Sequence, residues 1–162
     1  IQPIGIGWFE EPLDPINYSE GLARIASEIA IPLAGGESGY GEGFFDSLAE
    51  LGSVQTIMPD IKYCGGVQEA VRIANNAHNN GINFSPHCPS GPISLLASAH
   101  VCASLCKKVL LEHAIEEINY RNELISPREI VRNGRIEMPT GIGLGAALSK
   151  TALKKYGEYF SF

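Results

Sequence analysis

The repeating unit of this chain is clearest in residues 54–87, VQTIMPDIKYCGGVQEAVRIANNAHNNGINFSPH. The short apolar run Val54–Met58 predicts a strand, because a Pro-Asp pair ends it at once. Val67–Ala77 predicts a helix, which the polar Asn79-Asn80-Gly81 closes. A second short apolar run, Ile82–Phe84, predicts the next strand. Strand, helix and strand in this order predict two parallel strands joined by a crossover helix.

The same alternation extends in both directions from this unit. The predicted strands are Gly5–Glu10, Ile31–Ala34, Val54–Met58, Ile82–Phe84 and Val109–Leu111. The predicted helices between them are Asn17–Ala30, Phe44–Leu51, Val67–Ala77 and Ile93–Leu105. Alternation with short loops is typical of an α/β protein with a parallel sheet and right-handed crossovers. The tail differs, since Ile130–Pro139 predicts a hairpin around Asn133-Gly134 and Ser149–Tyr156 a final short helix.

The composition is that of a folded globular protein. Of the 162 residues, 44% are hydrophobic and 19% are charged. The net charge is -6 and no window clusters Lys and Arg, which argues against nucleic acid or an anionic membrane surface as a partner. An acidic balance suits a site that holds a cation. No apolar run reaches the roughly 18 residues of a membrane span.

The cysteines and the N-terminus bear on the origin of the chain. Cys64, Cys88, Cys102 and Cys106 lack zinc-site spacing, and a chain this long and apolar needs no disulfides, so we expect reduced thiols in a cytoplasmic protein. The chain starts at Ile1 without an initiator Met and reaches a predicted strand almost at once. We expect it to be part of a larger protein.

An ionisable residue follows each predicted strand. These residues are Glu10, Glu37, Asp60, His87 and Glu112, spaced 23 to 27 residues apart. This spacing is one βα unit, and in a β/α barrel the C-terminal strand ends all face the mouth that holds the active site. A single acid at such a position can be a helix cap, but capping does not account for the set.

The residue types indicate the chemistry. Glu10 and Glu37 follow neighbouring strands, and carboxylate oxygens suit a hard cation such as Mg²⁺. Asp60 and His87 suit a dyad in which the carboxylate orients the imidazole for acid-base work near neutral pH. Glu112 could donate a hydrogen bond to a developing oxyanion if burial keeps it protonated. Such a set suits removal of a proton α to a carboxylate.

Several segments resemble the mandelate racemase branch of the enolase superfamily in order and spacing. They are Trp8-Phe9-Glu10-Glu11-Pro12, Gly35-Gly36-Glu37, Met58-Pro59-Asp60-Ile61-Lys62-Tyr63-Cys64-Gly65-Gly66, Ser85-Pro86-His87 and Pro139-Thr140-Gly141-Ile142-Gly143-Leu144-Gly145. The resemblance implies strands four to eight of a modified (β/α)7β barrel over residues 1–118. It also implies a tail, residues 119–162, that packs on an N-terminal capping domain which this chain lacks.

The resemblance also assigns roles. It implies that Glu10 and Glu37 are Mg²⁺ ligands, that Asp60 and His87 form the dyad, and that Glu112 faces the stabilised enolate. Glu11 is expected to support Glu10 or to pair elsewhere. The third metal ligand and the lysine motif on strand two would precede Ile1, and relatives are commonly homo-oligomers. The remaining histidines, His78, His100 and His113, are interpreted as structural.

Residues 87–92, His-Cys-Pro-Ser-Gly-Pro, are the best indication of the substrate. They resemble the His-x-Pro-x-Gly-Pro stretch of galactonate-dehydratase-like enzymes. The resemblance implies a lyase that dehydrates a sugar acid to a 2-keto-3-deoxy acid, with His87 protonating the departing hydroxide. Two alternatives stay open: racemisation or epimerisation of a hydroxy acid, and a non-catalytic member of the superfamily. The isolated chain is expected to be inactive and poorly stable, because a partial barrel leaves sheet edges unpaired.

Overall fold

A parallel sheet of four short strands organises the computed structural model, which describes residues 4–114 and 120–158. The strands are β1 (Phe9–Glu10), β2 (Leu33–Gly35), β3 (Thr56–Ile57) and β4 (Asn83–Phe84). They lie in chain order, each parallel to the next. Every carboxyl end therefore lies at the same edge of the sheet, where the loops that carry the candidate site begin.

A helix follows each strand. The helices are α1 (Ser19–Glu28), α2 (Glu42–Glu50), α3 (Val67–Asn79) and α4 (Pro92–Ser104). Pro92 is the first residue of α4, where its missing N–H and fixed φ are compatible with a helix start. The predicted helices are all present, with ends within two residues of the prediction.

The core lies between the sheet and these helices. Three strands each contribute one core residue, namely Leu33, Ile57 and Phe84. These side chains pack with helix residues such as Leu48 and Ile73. Leu33, Ile57, Leu48 and Ile73 are each 2% exposed or less. Because successive strand residues alternate in direction, Leu33, Ile57 and Phe84 share the face of the sheet that packs on the helices.

The prediction of a fifth strand is wrong. Val109–Leu111 follows α4 as expected but forms no strand. It contacts the loop after β4 through a hydrogen bond, in which the Ser85 hydroxyl donates to the Leu110 carbonyl oxygen at 3.1 Å. A ladder needs backbone N–H and C=O groups paired in register, so this single bond leaves the segment extended beside the sheet.

The tail forms small antiparallel elements. They are β5 (Ile125–Ser126) paired with β8 (Ala147–Leu148), the hairpin β6 (Val131–Arg132) and β7 (Arg135–Ile136), and helix α5 (Lys150–Tyr156). In the hairpin turn Asn133 and Gly134 have φ of 51° and 69°, which confirms the predicted type I′ turn. Ser149 caps α5, since its hydroxyl accepts the Ala152 N–H at 3.2 Å.

The predicted boundary between barrel and tail, at 118/119, lies outside the described residues. Within residues 4–114 and 120–158, no helix is long and apolar enough to cross a bilayer. The four cysteines are all unpaired.

Two leucines near the end of α2 offer a matched test of the core. Leu48 is 1% exposed in the main cluster, whereas Leu51 is 45% exposed just after the helix. We expect Leu48→Ala to lower the free energy of unfolding by about 2–5 kcal/mol, because it removes buried methyl groups and leaves a cavity. Leu51→Ala should change it by less than about 0.5 kcal/mol. Urea unfolding followed by circular dichroism measures both, and equal losses would contradict this assignment of the core.

Candidate active site

Four of the predicted site residues lie just beyond the ends of the parallel strands. Glu10 ends β1, Glu37 follows β2, Asp60 follows β3 and His87 follows β4. Glu112 lies in the extended segment after α4, next to the loop that carries His87. All five side chains lie at one edge of the sheet: parallel strands deliver four of them there, and Glu112 joins them from the segment after α4.

Asp60 and His87 are in direct contact. His87 Nδ1 lies 3.0 Å from Asp60 Oδ2, and the Asp60 side chain is fully buried. An ionised carboxylate can only accept, so Nδ1 carries the proton of this bond. The other ring nitrogen, Nε2, lies 3.0 Å from Glu37 Oε2 and 3.9 Å from Glu112 Oε2. The dyad therefore presents Nε2 to the acidic mouth.

Lys62 is a functional neighbour that sequence reasoning did not identify. Its backbone N–H donates to Asp60 Oδ1 at 2.8 Å, and its Nζ lies 3.3 Å from Asp60 Oδ2. A buried carboxylate needs such partners to offset its lost hydration. The sequence did contain an indication of this contact. Lys62 stands two residues after an acid that ends a strand, and a turn at such a position returns the backbone N–H to the carboxylate.

Glu11 fixes the start of the loop that carries Glu37. Its Oε1 accepts the N–H of Gly36 at 2.7 Å and that of Glu37 at 3.3 Å. Glu11 itself has a φ of 37°, which is rare for a residue with a Cβ. A Cβ on Gly35 would lie 2.8 Å from Glu11 Cγ, so glycine is required for this close approach. Glu11 thus supports the neighbouring loop.

Electrostatics at the mouth is unfavourable to a further negative charge. Burial raises the pKa of Glu37, and the nearby carboxylates of Glu11, Glu10 and Glu112 raise it further, while His87 acts in the opposite direction. Like charges in close proximity disfavour ionisation. The cluster is therefore one that a bound cation would stabilise.

The donor set fits part of a Mg²⁺ site. Glu37 and Glu10 follow adjacent strands, and the Trp8 indole N–H holds Glu10 through a 3.1 Å bond to Oε2. Carboxylate oxygens are the ligands that Mg²⁺ prefers. Within the described ranges, no group of three or more His, Cys, Asp or Glu is placed to hold a metal ion. These residues thus supply two candidate ligands.

Glu112 contacts the loop that carries His87. Its Oε2 accepts the Cys88 N–H at 2.7 Å, beside His87, which places it at the mouth. Among the described residues its side chain is 40% exposed. What the geometry does show is a carboxylate that anchors the backbone next to the catalytic candidate.

The buried thiols pack in the core. Burial raises the pKa of Cys88 and Cys64, and raises that of Cys102 to about 12. A protonated thiol is a poor nucleophile. His100 Nε2 lies 3.2 Å from the Leu144 carbonyl oxygen, which joins α4 to the tail. This contact matches the structural role that the sequence predicted for His100.

Comparison with known proteins identifies relatives of this arrangement. Residues 1–152 match the model of the family described as enolase C-terminal domain-like. The chain is 29% identical over 156 residues to arabinonate dehydratase of Saccharolobus solfataricus, covering 96% of this chain and 41% of the relative. It is 32% identical over 166 residues to D-galactonate dehydratase of Xanthomonas campestris pv. campestris, covering 98% and 43%.

Solved structures agree with the sequence matches. A mandelate racemase/muconate lactonizing enzyme-like protein from Rubrobacter xylanophilus superposes with a TM-score of 0.89 at 32% identity, covering 98% of this chain and 40% of that one. The α/β fold of these residues is therefore that of the enolase-type C-terminal barrel domain. The chain spans about two fifths of the length of the curated relatives it matches.

The raised pKa of Glu37 predicts a pH-dependent stability. An acid whose pKa is raised on folding binds more protons in the folded state, so stability falls as pH rises from the ordinary Glu range through the raised value. In chelator we expect Glu37→Gln to be more stable than the unmodified chain near neutral pH. The advantage should disappear on acidification. Urea titrations from about pH 4 to about pH 8 measure this linkage.

Glu50→Gln is the control, because Glu50 is exposed at the end of α2, away from the cluster. Its effect should not vary with pH in this way. Equal pH profiles for Glu37→Gln and Glu50→Gln would show that the carboxylate cluster does not act on Glu37.

Proposed function

This chain belongs to the enolase C-terminal domain-like family, and from that premise we propose that it supplies most of the active site of a Mg²⁺-dependent sugar-acid dehydratase. The observation that carries the proposal is the dyad, in which buried Asp60 holds His87 Nδ1 at 3.0 Å and Nε2 faces the mouth. The names of the relatives above, an arabinonate and a D-galactonate dehydratase, support the substrate class.

The reaction removes water from the acid. The proton on C2, next to the carboxylate, leaves first and gives an enolate. The hydroxyl on C3 then departs with a proton as water, and the resulting enol tautomerises to the 2-keto-3-deoxy acid. Two proton transfers are therefore needed at neighbouring carbons.

His87 is suited to the second transfer. Its Nδ1 proton is committed to Asp60, so Nε2 is the atom that can hold a proton and deliver it to the departing hydroxide. Asp60 holds the ring tautomer and orientation, and Lys62, 3.3 Å from the same Asp60 oxygen, helps to balance its buried charge. Glu112, 3.9 Å from Nε2, borders the position where the enolate would lie.

Glu10 and Glu37 are the candidate Mg²⁺ ligands. Their carboxylates belong to the cluster that raises the pKa of Glu37, and a divalent cation would relieve that repulsion. When bound, Mg²⁺ would supply positive charge against the carboxylate of the substrate as the enolate develops. The base for the C2 proton, the third ligand and the capping domain are proposed to come from the rest of the protein, which we propose assembles as a homo-oligomer in the cytoplasm.

A screen of sugar acids tests the reaction type. We expect the full-length protein with Mg²⁺ to form a 2-keto-3-deoxy product, detected as a new carbonyl compound, from at least one sugar acid. His87→Asn should lower kcat by about 100-fold or more, because a positioned acid contributes about 10²–10⁴-fold. Asp60→Asn should lower kcat in the same direction through the wrong tautomer.

The matched control is His78→Asn, at the exposed end of α3, which should keep kcat. Exchange of the C2 proton with solvent deuterium and loss of stereochemistry, without keto product, would replace dehydration by racemisation. No exchange and no product across the panel would favour a non-catalytic member of the superfamily.

Metal dependence has a binding readout besides activity. Saturating Mg²⁺ at about 100 times its Kd should stabilise the full-length protein by about 2.7 kcal/mol. Glu37→Gln should lose most of this stabilisation, and Glu50→Gln should keep it. Thermal unfolding with Mg²⁺ and with chelator gives the comparison. Full activity in excess chelator would contradict the metal assignment.

A further inference from the structure

The loop that carries His87 contacts the tail through a buried arginine. Arg121 is 8% exposed, and its Nη1 donates to the carbonyl oxygen of Ser90 at 2.7 Å. Ser90 is three residues after His87 and is itself buried. A buried carbonyl oxygen that loses its donor is left without any hydrogen bond, which destabilises the structure. This bond therefore fixes the far end of the loop.

Glu129 orients the arginine. Arg121 Nε donates to Glu129 Oε1 at 2.6 Å and Nη2 to Oε2 at 3.3 Å, and the side chains are 9% and 8% exposed. A two-point contact of this kind fixes the plane of the guanidinium, which a single-point contact does not. The direction of the bond to Ser90 is set by this pair.

The near end of the loop is bound to the sheet through the Ser85 N–H, which donates to the Ile57 carbonyl oxygen at 3.0 Å, and a second contact follows His87. The Cys88 N–H donates to Glu112 Oε2 at 2.7 Å. The next residue, His113, places its Nε2 3.5 Å from Glu129 Oε1. The segment that binds the Cys88 N–H therefore also lies close to the Glu129–Arg121 pair that binds Ser90.

The loop itself has little means of fixing its own position. Residues 85–90 belong to no helix or strand. Two of them, Pro86 and Pro89, have no backbone N–H to donate. The position of His87 against Asp60 therefore depends on groups outside the loop, and Arg121 is such a group in the described part of the tail.

We propose that Arg121, oriented by Glu129, is a positioning residue for His87. This inference rests on the proposed acid role of His87 in the reaction above. Arg121 acts through the Ser90 carbonyl: it holds the loop so that Nε2 keeps its place at the mouth. Loss of the arginine should misplace the acid, whereas Glu10 and Glu37, the proposed Mg²⁺ ligands, should keep their places, because Glu11 and not Arg121 holds the backbone of Glu37.

The test compares two arginine–glutamate pairs of the tail in the full-length protein. Arg132 Nε lies 3.2 Å from Glu137 Oε1 with side chains 70% and 48% exposed, so Arg132→Met is the matched control. We expect Arg121→Met to lower kcat by about 100-fold, the cost of misplacing a catalytic group by about 1 Å. KM should stay within about threefold, because the substitution does not touch the proposed Mg²⁺ ligands, Glu10 and Glu37. Arg121→Lys should recover part of kcat, since an ammonium can still donate to Ser90.

Amide hydrogen exchange provides a readout that does not depend on turnover. In Arg121→Met, exchange should rise in a peptide covering residues 84–92 and stay unchanged in α1 and α2. Because removing one member of a buried ion pair can destabilise a whole fold, Arg121→Met/Glu129→Met is made in parallel to avoid an unpaired buried charge. It should show the same local pattern.

Each result decides the matter. Unchanged exchange at residues 84–92, or a kcat equal to that of Arg132→Met, overturns the positioning role. Exchange that rises throughout the chain in both variants also overturns it, since the arginine would then serve the fold in general. An unmodified protein that turns over no sugar acid overturns the proposed reaction, and the local exchange result still decides whether Arg121 holds the loop.

Discussion

The buried carboxylate of Asp60 is the group on which the arrangement of the mouth depends. Full burial of a charge is tolerated only with hydrogen-bonding partners. Asp60 satisfies this need with the backbone of Lys62 on one oxygen, and with Lys62 Nζ and His87 Nδ1 on the other. Its own carbonyl oxygen accepts the N–H groups of Tyr63 and Cys64. One residue thus shapes the turn after β3 and orients the imidazole after β4.

The acidity of the mouth follows from the same geometry. Parallel strands bring the residue after each strand to one edge, so acids far apart in sequence become neighbours. Burial raises the pKa of Glu37, and the charges of Glu11, Glu10 and Glu112 raise it further. Hydrogen bonds to Glu11 hold the loop in place despite this repulsion. A bound cation would relieve this repulsion.

Much of this architecture could be predicted from the sequence, because it depends on local patterns. The four helices, the type I′ turn at Asn133-Gly134 and the convergence of five ionisable residues all follow from periodicity and spacing. The strands are shorter than their apolar runs, since apolar residues beyond the ladder also pack in the core. Val109–Leu111 looked like a strand because its composition does not reveal whether a ladder partner is in register.

Contacts between distant segments were the part that the sequence did not reveal. Arg121 and Glu129 lie in a tail without strong periodicity, and nothing in their spacing indicates the carbonyl of Ser90, 31 residues away from Arg121. The exposure of Glu112 likewise depends on what surrounds it in space. Such features belong to tertiary packing, which a local pattern cannot encode.

The tight approach of Gly35 to Glu11 has a consequence for evolution and for engineering. A side chain at position 35 would displace Glu11, and with it the backbone that presents Glu37. Changes of substrate range by drift or by design are therefore expected to avoid this pair. Residues such as Ser38 and Tyr40, exposed just beyond it, can vary without disturbing it. A sterically constrained pair and an exposed rim thus lie only a few residues apart in the chain.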